Sequence, residues 1–183
     1  MSIFIITDLH LNHQKVKEFG GRPDNWQEIL LLRWNNLVRS EDLVINLGDV
    51  IFKQASQLKE ILSGLHGTKI LIRGNHDKGT NEFYRRSGFA CVCERMIMDQ
   101  VYYSHVPQNI LPGGCQWNVC GHIHNNPYDN MPDRAQYCFK SWHRVLSLEQ
   151  MRYSPRLLSE VLSGMWHRRD LPLEPEHFDL ETK

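Results

Sequence analysis

The sequence predicts an α/β protein, and two observations carry that prediction. β-type and helical patterns alternate through the first half of the chain. Short polar clusters also follow the apolar runs, where strands end and loops begin, which is where an α/β sheet keeps its chemistry. The clusters are Asp8 and His10; Gly48 and Asp49; Gly74, Asn75, His76 and Asp77; His105; and Gly121, His122 and His124.

Taken in order, residues 2–7 read as a buried strand. Asn25 is placed to cap a helix, with Glu28 three residues later and Trp26, Leu30, Trp34, Leu37 and Val38 at helical spacing. The two tryptophans read as core. A second strand ends at Asp49. Ser56 then opens a helix whose apolar face is Leu58, Ile61, Leu62 and Leu65, and Gly67 stops it before a third strand at 69–72. Strand, helix, strand, helix, strand implies a parallel sheet.

After a short helix at 82–86 the pattern changes. Segments around Cys91, Ile97, Tyr102, Val119, Tyr137 and Val145 are short and β-rich, with Asp99 and Gln100 as a hairpin turn. They suggest a second, largely antiparallel sheet. Ser154 and Pro155 begin a final helix, expected to cover that sheet. One domain is expected over 1–165, followed by a charged, proline-bearing tail or arm over 166–183.

Composition excludes several classes. The 183 residues give room for one full core, and Lys plus Arg equals Asp plus Glu at 21 each, so no global field gathers nucleic acid or membrane. No run approaches a membrane span and no signal-peptide layout precedes the first strand, so the cytoplasm is expected. Five cysteines without CxxC spacing argue against a disulfide framework and against a cysteine zinc knuckle.

The polar set Asp8, His10, Asp49, Asn75, His105, His122 and His124 offers carboxylate, amide and imidazole donors without thiolate. Such a mixture suits manganese, iron or zinc. Residues two apart in an extended segment share a side, so Asp8 with His10, and His122 with His124, can chelate in pairs. The set is too large for one tetrahedral ion and right for two ions sharing a carboxylate. Two divalent ions would leave a small net positive charge in a neutral protein, favouring an anionic substrate, and paired ions suit in-line displacement at a phosphate ester.

The ordered series from Asp8 to His124 resembles the signature of the calcineurin-like metallophosphoesterases, and Tyr153, Ser154 and Pro155 with the following helix are similar to the end of small bacterial and phage members. The resemblance implies a four-layer αββα sandwich of two mixed sheets flanked by helices. It implies a binuclear centre in which one ion takes Asp8, His10 and His124, the other takes Asn75, His105 and His122, and Asp49 bridges them. A hydroxide shared by the ions would be the nucleophile. Manganese is expected first, with iron, zinc, nickel or cobalt as alternatives. By the same resemblance His76 lies over the phosphate, protonating the leaving oxygen or stabilising charge, with Asp77 orienting it. The sequence departs from many relatives after Asp49, where Val50, Ile51 and Phe52 stand in place of an acidic or tyrosine residue.

His13 and Arg73 are secondary candidates for substrate contact, while His66, His143, His167 and His177 read as solvated. With no room for a cap domain, specificity falls to the loops 107–117 and 125–133, where Trp117 and Tyr128 could stack on a ring. The expected activity is hydrolysis of small phosphodiesters or phosphomonoesters, with no membrane partner. Alternatives are a nuclease, for which Arg85, Arg86 and Arg95 would have to form a basic stripe, or a non-catalytic binding module of the same fold.

Overall fold

A computed structural model describes residues 1–53, 55–124 and 139–165. The expected tail at 166–183, the segment at Tyr137, and the 125–133 loop with Tyr128 lie outside them.

Two mixed sheets are flanked by helices. The first holds β1 (Ile3–Ile6), β2 (Leu43–Asn46), β3 (Thr68–Ile72), β4 (Cys91–Cys93) and β9 (Arg156–Leu157) in the order β4-β3-β2-β1-β9. The first four run parallel, and β9 adds antiparallel to β1. β1, β2 and β3 carry apolar runs of mostly Ile, Val and Leu because both faces are covered, and Ile5, Ile6, Val44, Ile45, Leu71 and Ile72 are fully buried. The helices are α1 (Val16–Gly20), α2 (Trp26–Leu37), α3 (Leu58–Ser63), α4 (Asn81–Ser87) and α5 (Leu158–Ser163). Trp26 and Trp34 of α2 are core residues, as expected, whereas Leu37 is 46% exposed. Asn25 occupies the N-cap position of α2, as expected, but makes no side-chain cap bond, and Ser56 lies in a 3-10 turn, Ala55–Gln57, ahead of α3 instead of capping it.

The second sheet runs β5 (Arg95–Met98), β6 (Val101–Ser104), β7 (Trp117–Cys120) and β8 (His143–Val145). The expectation of a largely antiparallel sheet is corrected here. Only the β5–β6 hairpin is antiparallel, while β6–β7 and β7–β8 are parallel. The hairpin turns at Asp99 and Gln100, both at positive φ (51° and 64°), as a type I′ turn requires. The last helix is also relocated. Chain that was expected to begin a helix at Ser154 first forms β9, and α5 lies against β1 and β9 of the first sheet. It also touches the second through Arg144, whose Nε donates to the Leu162 carbonyl at 3.0 Å. Among the described residues no helix is long and apolar enough to cross a membrane.

This topology sets the site. β1, β2 and β3 are parallel, and so are β6 and β7, so all five polar clusters emerge at carboxyl ends of strands. The bond from His122 N to Asp8 Oδ2 (3.0 Å) joins the end of β7 to that of β1 across the two sheets, while Gly121 N to His105 O (2.9 Å) holds the ends of β6 and β7 together within the second.

Candidate metal centre

Backbone pairing continues past the ends of β1 and β2, with Asp8 N to Gly48 O at 3.0 Å, His10 N to Asp49 O at 2.8 Å and Leu11 N to Val50 O at 2.9 Å. The conformation does not. Asp8, His10, Asp49, His122 and His124 are all left-handed, with φ of 52°, 46°, 55°, 76° and 52°. The two-apart pairs therefore converge by local left-handed turns, and the expected extended geometry is corrected. Asp and His tolerate this region better than most residues, yet each such position costs on the order of 1 kcal/mol or more. Close approach accounts for two glycines. A Cβ on Gly74 would stand 2.1 Å from Asp49 Oδ1, and one on Gly121 would stand 2.0 Å from Thr7 Oγ1.

The seven candidate ligands gather in two groups. In the first, His10 Nε2 is 3.1 Å from His124 Nε2, and Asp8 Oδ1 lies 4.0 and 3.7 Å from those two nitrogens. In the second, Asn75 Oδ1 is 2.8 Å from His105 Nε2 and 3.1 Å from His122 Nδ1. Asp49 stands between them, its Oδ2 at 3.6 Å from His10 Nε2 and 3.4 Å from His105 Nε2. Donor atoms of Asp8, His10 and His124, and likewise of Asp8, Asp49 and His105, lie within 4.8 Å of one another, a spacing at which an ion could be held. Asp8 is thus within reach of both groups.

Two features fit a cation. Asp8 Oδ2 accepts from Thr7 Oγ1 and His122 N, whereas the buried Oδ1 has no hydrogen-bond donor and faces imidazole nitrogens. In addition, His105 Nδ1 lies 2.7 Å from the Leu47 carbonyl, which fixes a proton on Nδ1 and leaves Nε2 toward the centre. Burial lowers the His10 pKa to about 4, despite the pull of Asp8, which keeps this ring in the neutral, ligating form. Burial also lowers His122. The opposite holds for His105, where burial is outweighed by Asp49 and Asp8 and the pKa rises to about 9. Positive charge is drawn to the place where the carboxylates converge.

Glu149 and Arg22 escaped the sequence reading. Arg22 is buried, its Nε donating to Glu149 Oε1 at 2.8 Å and its Nη1 and Nη2 to the carbonyls of Leu9 and Asp8, each at 2.8 Å. Glu149 Oε1 in turn faces His124 Nδ1 at 3.6 Å. One ion pair therefore braces the left-handed 8–10 turn and orients a candidate ligand. The only signal in sequence is a carboxylate among apolar residues just after β8.

A mutation at Glu149 has two expected results. Outer partners of ligating histidines are worth about 10–100-fold in metal affinity. Glu149→Gln should weaken manganese binding by that amount in a calorimetric titration. Burial alone would raise the Glu149 pKa, but His124 and Arg22 hold it down at about 2, against an ordinary 4.5. A depressed carboxyl stabilises the fold above its unfolded pKa and loses that contribution as pH falls through the folded one. The metal-free protein should lose about 3 kcal/mol of stability between roughly pH 4.5 and 2, and denaturant melts of the variant should lack that component.

His76 N donates to Asp49 Oδ1 at 2.8 Å, and its exposed ring sits 5.4 Å from the His10 ring. Asp77 is buried and accepts from the backbone N–H groups of Asp49, Val50 and Gly74 at 2.9, 3.0 and 2.8 Å. Its carboxylate therefore binds together the loops that carry Asp49 and Asn75, where the sequence had it orienting the His76 ring. Burial raises its pKa against the pull of those amides. Arg73 braces the same loop, Nη2 donating to the carbonyls of Asp77 (2.7 Å) and Gly79 (2.8 Å). His13 packs edge-on to Phe52, ring centroids 3.9 Å apart. Trp117 is held away from the site, beneath the Arg144 guanidinium at 3.8 Å. His143, expected to be solvated, is buried and bonded to Gln108 O and Lys140 N.

Comparison with known proteins matches residues 1–170 to the family described as calcineurin-like phosphoesterase. An uncharacterized protein of Methanocaldococcus jannaschii, MJ1445, is 32% identical over 140 residues, covering 71% of this chain and 73% of that one. The crystal structure of AQ665 from Aquifex aeolicus, a protein of unknown function, superposes with a TM-score of 0.66 at 19% identity, over 87% of this chain and 97% of that one. The Pseudomonas putida nuclease MPE aligns more loosely, with a TM-score of 0.47 at 22% identity over 67% and 61% of the two chains.

Proposed function

The chain belongs to the calcineurin-like phosphoesterase family, and on that premise we propose that it hydrolyses phosphate esters, diesters among them, at a centre of two divalent ions. The observation that carries the reading is Asp49. One oxygen of this buried carboxylate faces the imidazoles of both donor groups, while the other is fixed by the His76 amide. Asp8, His10 and His124 would hold one ion and Asn75, His105 and His122 the other, with Asp49 shared. When bound, the ions supply Lewis-acid activation of water and neutralise charge on the phosphoryl oxygens.

The chain's own residues do the rest. Asp77 and Arg73 fix the loop that presents Asn75 and His76. His76 stands over the His10 side of the centre and hands a proton to the departing oxygen as the ester P–O bond breaks and water bonds to phosphorus. The products are an alcohol and a phosphate with one ester bond fewer. An acid–base residue needs this reach and this exposure. Manganese heads the list of ions because the donors are oxygen and imidazole nitrogen, with iron, zinc, nickel and cobalt also compatible.

The purified protein should hydrolyse members of a panel of diesters, monoesters, cyclic nucleotides, dinucleoside polyphosphates and single-stranded nucleic acid once manganese is added. Chelation should abolish the turnover. Silence on the whole panel with each of the five metals would sink the reading.

A further inference from the structure

We propose that the end of the cleft beside His76 is a leaving-group subsite for a planar ring, so that preferred substrates are phosphate esters of aryl or nucleoside alcohols. This rests on the phosphoesterase reading and adds the chemistry of the departing group.

The cleft has two unlike ends. Beside Asn75 and His105 lies a cavity of about 370 Å³ whose lining carries Arg73, Lys78 and Arg95 against Asp77 and Glu94. Beside His76 lies one of about 300 Å³ walled by Ile51, Phe52, Phe83 and Tyr84. Lys78 lines both. The second cavity is at the small end of the range for ligand pockets, about 300–1,000 Å³, which suits one ring system better than an extended chain.

Exposure alone would not single out Phe52. It is 45% exposed, and Ile110 and Met165 are more so. Its position does. The backbone N–H of Phe52 donates to Leu11 O at 3.0 Å, tying it to the turn that carries His10. Its ring lies against His13 at 3.9 Å and is 6.0 Å from the His76 ring. An alcohol that takes its proton from His76 departs on the His76 side, into the cavity that His76 itself lines. The walls it meets there are aromatic, and a planar ring gains stacking on them that a small alkyl group does not. The opposite cavity is polar, with three cationic side chains against two acidic ones, and suits the retained, anionic part of the substrate better than the aromatic end does.

The test uses three methyl phosphodiesters that differ in the leaving alcohol: p-nitrophenol, adenosine through its 5′-oxygen, and trifluoroethanol. Each substrate is compared with itself between wild type and variant, so intrinsic leaving-group reactivity cancels. Phe52→Ala should lower kcat/KM by roughly 5- to 150-fold, the range that base–aromatic stacking commands, on one or both ring-bearing diesters. The trifluoroethyl diester should be unaffected. Phe83→Ala should show the same selectivity, and Phe52→Tyr should restore it. A response confined to one ring-bearing diester supports the subsite and names its source. Equal loss on all three, or loss on none, overturns the subsite. Failure of the wild type on all three counts instead against the phosphoesterase reading. A binding measurement is independent of turnover: in metal-free Phe52→Trp, adenosine or phenol should quench the added indole emission, and no quenching by either overturns the proposal.

Discussion

Asp49→Asn should leave the protein with at most one ion at full strength and cut turnover by more than about 100-fold, because loss even of an outer partner of a metal ligand costs about 10–100-fold. The substitution is nearly isosteric. The amide oxygen can still accept from His76 N, as Asp49 Oδ1 does at 2.8 Å, so the loop holding His76 has no reason to move. What changes is the group facing His10 and His105 at 3.6 and 3.4 Å, from an anionic acceptor to a neutral amide. The metal-free protein carries a second signature. The Asp49 pKa is held at about 2 because the His105 hydrogen bond outweighs burial, and His105 is raised in return to about 9. Removing the carboxylate leaves only Asp8 and the Leu47 carbonyl to oppose burial, so His105 should titrate below its wild-type value by NMR. Metal analysis showing two tightly held ions in Asp49→Asn would contradict the bridging assignment.

The parts of the fold legible in the sequence were those in which pattern and burial coincide. β1 to β3 could be read because strands covered on both faces become apolar runs of mostly Ile, Val and Leu. The clusters could be read because chain order puts them at the carboxyl ends of such runs. Periodicity carries no information on φ, so the left-handed turns at Asp8, His10 and Asp49 were invisible, and extended pairing was the natural but incorrect geometry. Strand direction was equally hidden: short β-rich segments look the same whether they pair parallel, as β6 and β7 do, or antiparallel. Arg22 and Glu149 lie 127 residues apart and belong to no motif. Only the fold makes them neighbours, and a buried ion pair has no local sequence signature.

His76→Ala should keep its metal and lose activity by about 10²–10⁴-fold, the contribution usual for a positioned general acid. Its ring stands edge-on to that of His10 at 5.4 Å and is not among the seven donors, and its backbone amide, which holds Asp49, survives the change. The loss should depend on the alcohol that departs. A p-nitrophenolate leaves without a proton, so the variant should suffer least on that ester and most on a nucleoside or alkyl ester. A uniform loss across leaving groups would assign His76 to charge stabilisation instead of proton transfer. Asp77 offers the contrast. Its two oxygens hold three backbone N–H groups between them, and Asn in its place can offer only one oxygen. Asp77→Asn should therefore destabilise the fold by roughly 1–3 kcal/mol in denaturant melts, through buried donors left unpaired. Its effect on turnover should be insensitive to the leaving group. If Asp77→Asn instead reproduced the leaving-group dependence of His76→Ala without loss of stability, the carboxylate would have to act through the imidazole, as the sequence first suggested, and the backbone bonds would be incidental.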